Sequence, residues 1–397
     1  MKIPYVTLLL LLAALNTIGP FSVDTYLPAF PSIEAGLHAT PLELQQSLTA
    51  YLLPFSFMML WHGAISDTVG RKSVIIVGQF IFLLASLLCA VAPSIELLWV
   101  GRVLQGLSAG AGVIVGRAVI RDLFDGIMAQ RLMSHVTMVF AVAPAIAPIL
   151  GGALATTLGW RSIFYFLCIV ALLLLAMTWK FLPETLPMEK RQSLHPAHLL
   201  AGYKSILGSL PFIMLCLSMA LFFSGFFIYV MSAPVFLIEH LGLSETGFGW
   251  LFVPIVTGMI LGSAVSAKLA GRLHPAGTVI LAYGIAAAAM LINLALSYAL
   301  GDSVATRIPQ ITVYTFGMSI ALPTLTLRAL DMFPQRRGMA ASCQGFIQTL
   351  VMSLVAGVVS PAIWDTTRHL AWGMVAGLAL SLIAYLVSLR GYRAVKA

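Results

Sequence analysis

Runs of about 20 apolar residues, separated by short polar breaks, repeat along this chain from one end to the other. That period belongs to helices crossing a membrane, and the alternating ten-residue strands of an outer-membrane barrel are absent. Twelve spans are predicted, at 5–33, 42–66, 73–93, 96–120, 131–157, 160–183, 208–238, 245–270, 276–299, 303–330, 338–363 and 367–390. The longest polar interruption, 184–207, carries Glu184, Glu189, Lys190, Arg191 and Lys204 and divides the spans into six and six. The expected organisation is therefore a first six-helix bundle over 1–183, a cytoplasmic linker over 184–207 and a second bundle over 208–397. The apolar run from Tyr5 follows one lysine and has no small-x-small cleavage site, so it is expected to be a retained first helix and not a signal peptide.

The halves read as a diverged duplication. Leu27-Pro28-Ala29-Phe30 late in span 1 is echoed by Ala233-Pro234-Val235-Phe236 late in span 7. Gly63, Asp67 and Gly70-Arg71-Lys72 after span 2 are echoed by Gly262, Lys268 and Gly271-Arg272 after span 8. The predicted fold class is an all-α membrane protein with 12 transmembrane helices in two pseudo-symmetric six-helix bundles, a plan suited to alternating access.

Composition agrees with this reading. Apolar residues make up 60% of the chain and charged residues 9%, whereas a soluble domain carries about 25% charge to cover its wet surface. A net charge of +8 would raise nucleic acid as a partner in a soluble chain, but here the cations sit between spans. With a cytoplasmic N-terminus, eighteen of the 22 lysines and arginines, among them Lys2, Arg71, Lys72, Arg336, Arg337 and Arg390, fall in inner segments. Only Arg161, Arg307 and Arg368 fall in outer loops. This positive-inside bias places both termini and the linker in the cytoplasm. Cys89, Cys168, Cys216 and Cys343 all lie in apolar spans and imply neither disulfide nor zinc. The histidines have no metal-ligand spacing, and no phosphate-binding loop or catalytic constellation is present, so no metal, cofactor or enzymatic activity is expected.

Two charges cannot be assigned to a loop or a span end: Asp24 in span 1 and Arg102 in span 4. Each costs roughly 2.5–3.5 kcal/mol to insert, so such groups face the interior, pair, or both, and they mark transport pathways. Asp24 lies ten residues before Glu34 and Arg102 six after Glu96, about 15 and 9 Å from the outer ends of their spans. Asp24 is the expected proton and substrate group, tuned by a nearby Arg102; the alternative is a fixed ion pair between helices. Asn16 projects from nearly the same face as Asp24, and Gln105 lies one turn below Arg102. Both amides are candidates for substrate contact or for hydrogen bonds between helices.

The segment Gly63–Lys72 is too tight for a passive tether, and its glycines permit a sharp turn. Asp67 is expected at a helix N-terminus and Arg71 against Asp122, forming a cytoplasmic latch between the bundles. In span 5, Pro144 and Pro148 remove two backbone donors from one helix face, and Gly151-Gly152 allow close packing; this reads as a hinge or as a static kink. His62 is expected at the cytoplasmic interface, and His135 is a candidate relay. Met58, Met59, Phe222, Phe223, Phe226, Phe227, Tyr229 and Met231 are candidates for an adaptable apolar lining or for ordinary core.

These motifs together resemble a known family. Gly63–Lys72 resembles the loop signature of the major facilitator superfamily, with Thr68 where a base is usual. Arg102-Val103-Leu104-Gln105-Gly106 with Gly110 resembles the fourth-span motif of its drug:proton antiporters, and Ala147-Pro148-Ile149-Leu150-Gly151-Gly152 resembles their Gly-Pro-x-x-Gly-Gly motif. Val23-Asp24-Thr25-Tyr26-Leu27-Pro28-Ala29 is similar to a signature of the bicyclomycin and chloramphenicol resistance subfamily, and Pro183-Glu184-Thr185 matches the usual end of the sixth span. The resemblance implies a monomeric antiporter in the bacterial inner membrane, driven by the proton gradient. Asp24 would take protons and substrate competitively, Arg102 would tune coupling, and Tyr26 would join Asn16, Asp24, Arg102 and Gln105 in contacting cargo. Relatives that export cations carry a second acid where this chain has Asn16, which leans the expected cargo toward neutral or zwitterionic drugs. A dedicated exporter or importer of a metabolite, such as a nucleoside, sugar or siderophore, fits the same spans. A lipid-modifying membrane enzyme does not, for want of clustered catalytic or metal-binding side chains.

Overall fold

The computed structural model describes residues 4–124, 126–191 and 196–396; Lys2 and part of the 184–207 linker lie outside them. The described residues are helical almost throughout, with no strand. In chain order the helices are α1 (Tyr5–Asp24), α2 (Phe30–Leu37), α3 (Pro41–Val69), α4 (Arg71–Ala90), α5 (Ile95–Leu123), α6 (Gly126–Leu158) and α7 (Arg161–Phe181). There follow α8 (Pro196–Leu207), α9 (Leu210–Met231), α10 (Gly249–Leu269), α11 (Pro275–Ala299), α12 (Val304–Asp331), α13 (Arg337–Leu354), α14 (Ser360–Ile363) and α15 (Thr367–Lys396).

Among the described residues, eleven helical stretches are long and apolar enough to cross a membrane. The remaining predicted span, the tenth, is α12, whose composition is more polar, yet it packs along α10 and α11 as a bundle member. The chain forms two compact units, Met1–Leu199 and Leu200–Ala397, each with six of these spans. Their internal packing repeats: the fourth span of each unit (α5, α12) lies against the second (α3, α10) and the third (α4, α11), and the first span (α1, α9) against the fifth (α6, α13). Glycines close both seams. A Cβ at Gly106 of α5 would meet the Tyr51 backbone of α3, and one at Gly262 of α10 would meet the Phe316 carbonyl of α12.

Three spans are not the continuous helices the apolar pattern predicts. Span 1 breaks at Asp24: α1 ends there, a 3-10 turn covers Leu27–Ala29, and α2 continues outward. Span 7 breaks at the matching place, with a π-helical segment over Pro234–His240. Proline explains both, because Pro28 and Pro234 lack the N–H that would carry the helix ladder across. Span 11 carries a second π-helical segment, Val355–Val359. Span 5 is the reverse case: α6 runs through Pro144 and Pro148 without interruption. The linker also holds more structure than its polarity predicts, since α8 buries Tyr203 and Ile206 and brings Gly202 against Met339 of the second unit.

Candidate functional site

Asp24 is the last residue of α1 and is buried, 7% exposed. It shares that position with the negative end of the helix dipole, and among the described residues no hydrogen bond or ion pair reaches its carboxylate. Thr25 closes the helix end, its Oγ1 donating to the Phe21 carbonyl. Gly151 of α6 is seated on this break: any Cβ there would collide with the backbone of Thr25. The glycine pair read as a hinge thus lets α6 lie directly against the residue after Asp24. Asn16, two turns earlier on α1, is also buried.

Arg102 is fully buried on α5. Its Nη1 donates to the Ser22 carbonyl of α1 at 2.9 Å and to Gln105 Oε1 at 2.8 Å. Its guanidinium lies between two rings, 4.9 Å from the centroid of Tyr26 and 4.5 Å from that of Tyr51, an arrangement in which the ring faces stabilise a cation. Each ring is held in turn: the Tyr26 hydroxyl bonds Ser47 Oγ at 2.8 Å and the Tyr51 hydroxyl donates to the Gly19 carbonyl at 3.3 Å. Nε and Nη2 of Arg102 have no partner.

Of the two readings of Asp24 and Arg102, the fixed ion pair is the one not found among the described residues. Both face the bundle interior, but no ion pair joins them; Arg102 grips the α1 backbone two residues before Asp24 instead. The physical reason is the break in α1, which frees the Ser22 carbonyl for a side-chain donor. Gln105 has both amide ends engaged, with Nε2 donating to Ser86 Oγ of α4 at 2.8 Å. It is a link between helices that positions Arg102.

At the cytoplasmic end, the expected loop 63–72 is mostly helix. α3 runs to Val69 and α4 starts at Arg71, so Gly70 alone makes the turn, at φ 104°. Gly63 lies inside α3, where a Cβ would make only ordinary contact with Ile114. Arg71 pairs with Asp67 and with Asp122, its Nε 3.1 Å from Asp122 Oδ2, and it donates to Ser66 Oγ at 2.6 Å. Lys72 Nζ donates to the Trp179 carbonyl at 2.8 Å. Each of these contacts lies within the first unit and ties α3, α4, α5 and α7 to one another. Sequence reading missed the residue that completes the cluster. Glu184 accepts from the Arg71 backbone N–H at 2.9 Å, capping α4, and from the Leu186 N–H at 3.0 Å. The only signal for it was its place in Pro183-Glu184-Thr185.

Three further expectations change. His62 is not interfacial: it is 4% exposed and packed against Gly110 of α5. His135 meets the Tyr5 hydroxyl at 2.9 Å, but Tyr5 is 19 residues before Asp24, about 28 Å along α1, which separates this pair from the acid. Arg307, expected in an outer loop, is 2% exposed within α12. Its Nε donates to Asp302 Oδ1 at 2.6 Å. Phe222 packs on Tyr283 and Tyr314 as core, while Phe223, Phe226 and Phe227 pack on one another. Among the described residues no group of three or more His, Cys, Asp or Glu could hold a metal ion.

A multi-pass helical protein with two repeated six-span units and isolated buried charge in the first is built for moving small solutes across a membrane. The chain belongs to the Major Facilitator Superfamily, whose family model matches residues 10–356. It is a transport protein and not an enzyme. It is 32% identical over 351 residues to the uncharacterized MFS-type transporter YdgK of Bacillus subtilis (strain 168), covering 88% of this chain and 87% of that one. It is 27% identical over 394 residues to the bicyclomycin resistance protein homolog of Haemophilus influenzae, covering 95% and 94%. The crystal structure of a D-xylose-proton symporter shares the fold, with a TM-score of 0.73, 15% identity and coverage of 96% and 98%.

Proposed function

We propose that this chain is a proton-coupled antiporter that exports small neutral or zwitterionic drugs of the chloramphenicol and bicyclomycin kind by alternating access. It works as a monomer in the bacterial inner membrane, with both termini cytoplasmic. The observation that carries the reading is Asp24: a buried carboxyl with no protein partner, at a break in its helix. An acid so placed is free to trade a proton for cargo, because no ion pair must be broken first. Open to the cytoplasm, it loses its proton as cargo enters; open to the outside, it regains a proton and cargo leaves. Arg102, held by Ser22, Tyr26 and Tyr51, supplies a fixed positive field and two open donors near that exchange. Asn16 and Tyr26 contact cargo from the same span, one on α1 and one in the break that follows it. The charged cluster at Gly70 and the seat of Gly151 on Thr25 make α1, α3, α4 and α6 respond together. The relative named for bicyclomycin resistance supports the drug class.

The test is chloramphenicol flux in proteoliposomes under an imposed pH gradient, with wild type and Asp24→Asn. Gradient-driven flux in wild type and none in the variant is expected. Equal flux in both would remove Asp24 from the mechanism. No flux in wild type, with flux of a sugar or nucleoside instead, would favour a dedicated metabolite carrier on this fold.

A further inference from the structure

The second unit contains a polar site that the proposed exchange does not use. We infer that Tyr229, Asn293 and Arg307 bind one small neutral hydroxyl group, either a resident water or a hydroxyl of the cargo.

The three residues come from three helices. Tyr229 lies in the last turn of α9, two residues before its end, and is 1% exposed. Asn293 of α11 is 1% exposed; its Nδ2 donates to the Tyr229 hydroxyl at 2.7 Å and reaches Met374 Sδ of α15 at 4.0 Å. Its Oδ1 is buried without a partner. Reversing the amide would only exchange an open oxygen for an open nitrogen. Arg307 of α12 spends Nε on Asp302 and Nη2 on Asp302 and the Leu300 carbonyl, while Nη1 is buried without a partner. The Arg307 and Asp302 charges are within electrostatic reach of the Tyr229 hydroxyl.

The chemistry of the open atoms selects the occupant. Arg307 Nη1 offers a donor, Asn293 Oδ1 an acceptor, and the Tyr229 oxygen is already accepting, which leaves its proton to give. Arg307 is balanced by Asp302, so an added ion of either sign would stay uncompensated in a low dielectric. A hydroxyl is donor and acceptor at once and leaves no charge. Buried polar atoms left open are costly, and interiors place water at such points when two to four polar partners converge. The Asp302 side chain is 34% exposed, so polar groups run from accessible surface inward. The π-helical segments Pro234–His240 and Val355–Val359 adjoin α9 at this level, and π turns gather at functional sites.

The water source stands without the transport reading; the cargo source rests on it. The test is radiolytic labelling of the full chain in lipid nanodiscs, read by mass spectrometry. A bound water converted to hydroxyl radical oxidises the side chains beside it even when they are buried. Tyr229 and Met374 are expected to label about fivefold or more above Tyr314 and Met318, equally buried in the same unit but outside the site. Asn293→Leu should lower both signals, and Tyr229→Phe should lower Met374 alone should the first variant misfold. Added chloramphenicol that halves the labelling assigns the site to a cargo hydroxyl; unchanged labelling assigns it to resident water. Tyr229 and Met374 labelled no more than Tyr314 and Met318 would overturn the inference. Because labelling needs no transport, a failure of chloramphenicol flux leaves this result readable.

Discussion

Arg102 and Arg307 occupy comparable places, each buried near the start of the fourth span of its unit, but only Arg307 has a carboxylate. Asp302 holds Arg307 from two nitrogens, and Thr367 Oγ1 donates to the same carboxylate oxygen at 2.9 Å, tying α12 to α15. Arg102 has two aromatic faces, a backbone carbonyl and an amide instead, and among the described residues it forms no ion pair with Asp24, a buried acid of its unit. A charge neutralised in place can hold helices together through every step of a cycle. A charge and an acid kept separate can respond to a proton. On the proposed mechanism the first unit carries the switch and the second a brace.

The largest effect that sharpens this contrast is on transport. Asp24→Asn should reduce gradient-driven flux to the level of empty liposomes while the protein elutes as a monodisperse peak. Arg307→Met should leave whatever flux remains responsive to the pH gradient; loss of that response in both would erase the distinction between switch and brace. Next comes stability in the second unit. Asp302→Asn strands a buried cation and should cost roughly 1–3 kcal/mol after allowance for the partial exposure of the carboxylate. The melting temperature should fall further for Asp302→Asn than for Arg307→Met, which removes the buried charge itself; the reverse order would mean the ion pair is not what holds α12. A third test separates glycines of the first unit. Gly106→Ala drives a methyl into the Tyr51 backbone and should destabilise by about 1–3 kcal/mol. Gly63→Ala, within α3 and with room beside it, should be neutral or stabilising by up to about 1 kcal/mol, as read by thermal unfolding. The smallest effect is expected for Tyr51→Phe, which keeps the ring under Arg102 and loses one hydrogen bond, about 0.5–1.5 kcal/mol, with flux retained.

The helices were readable because lipid demands about 20 apolar residues in a row and little else matches that pattern. Asp24 and Arg102 stood out for the same reason, as charges with no span end nearby. What the pattern did not contain was the detail within each span. The break at Asp24 depends on Pro28 acting four residues further on, and proline alone is ambiguous: Pro144 and Pro148 leave α6 unbroken. Arg307 was taken for a loop residue because it stands four residues into its helix, where hydropathy cannot distinguish a buried arginine from a snorkelling one. Glu184 was invisible as a cap because its partner, the Arg71 N–H, is 113 residues away. The partners of the Gly63–Lys72 cluster, Asp122, Trp179 and Glu184, lie 51 to 113 residues further along the chain, beyond the reach of any local pattern.

The seats of Gly106 and Gly151 bear on how this chain can change under selection. At both, an added methyl meets main-chain atoms of the neighbouring helix, at Tyr51 and at Thr25. A clash with a side chain can be relieved by trimming that side chain elsewhere in the gene. A clash with a carbonyl cannot, because no substitution removes a carbonyl. Selection for regained transport in strains carrying Ala at either position should yield reversion to glycine and no second-site suppressor at 51 or 25.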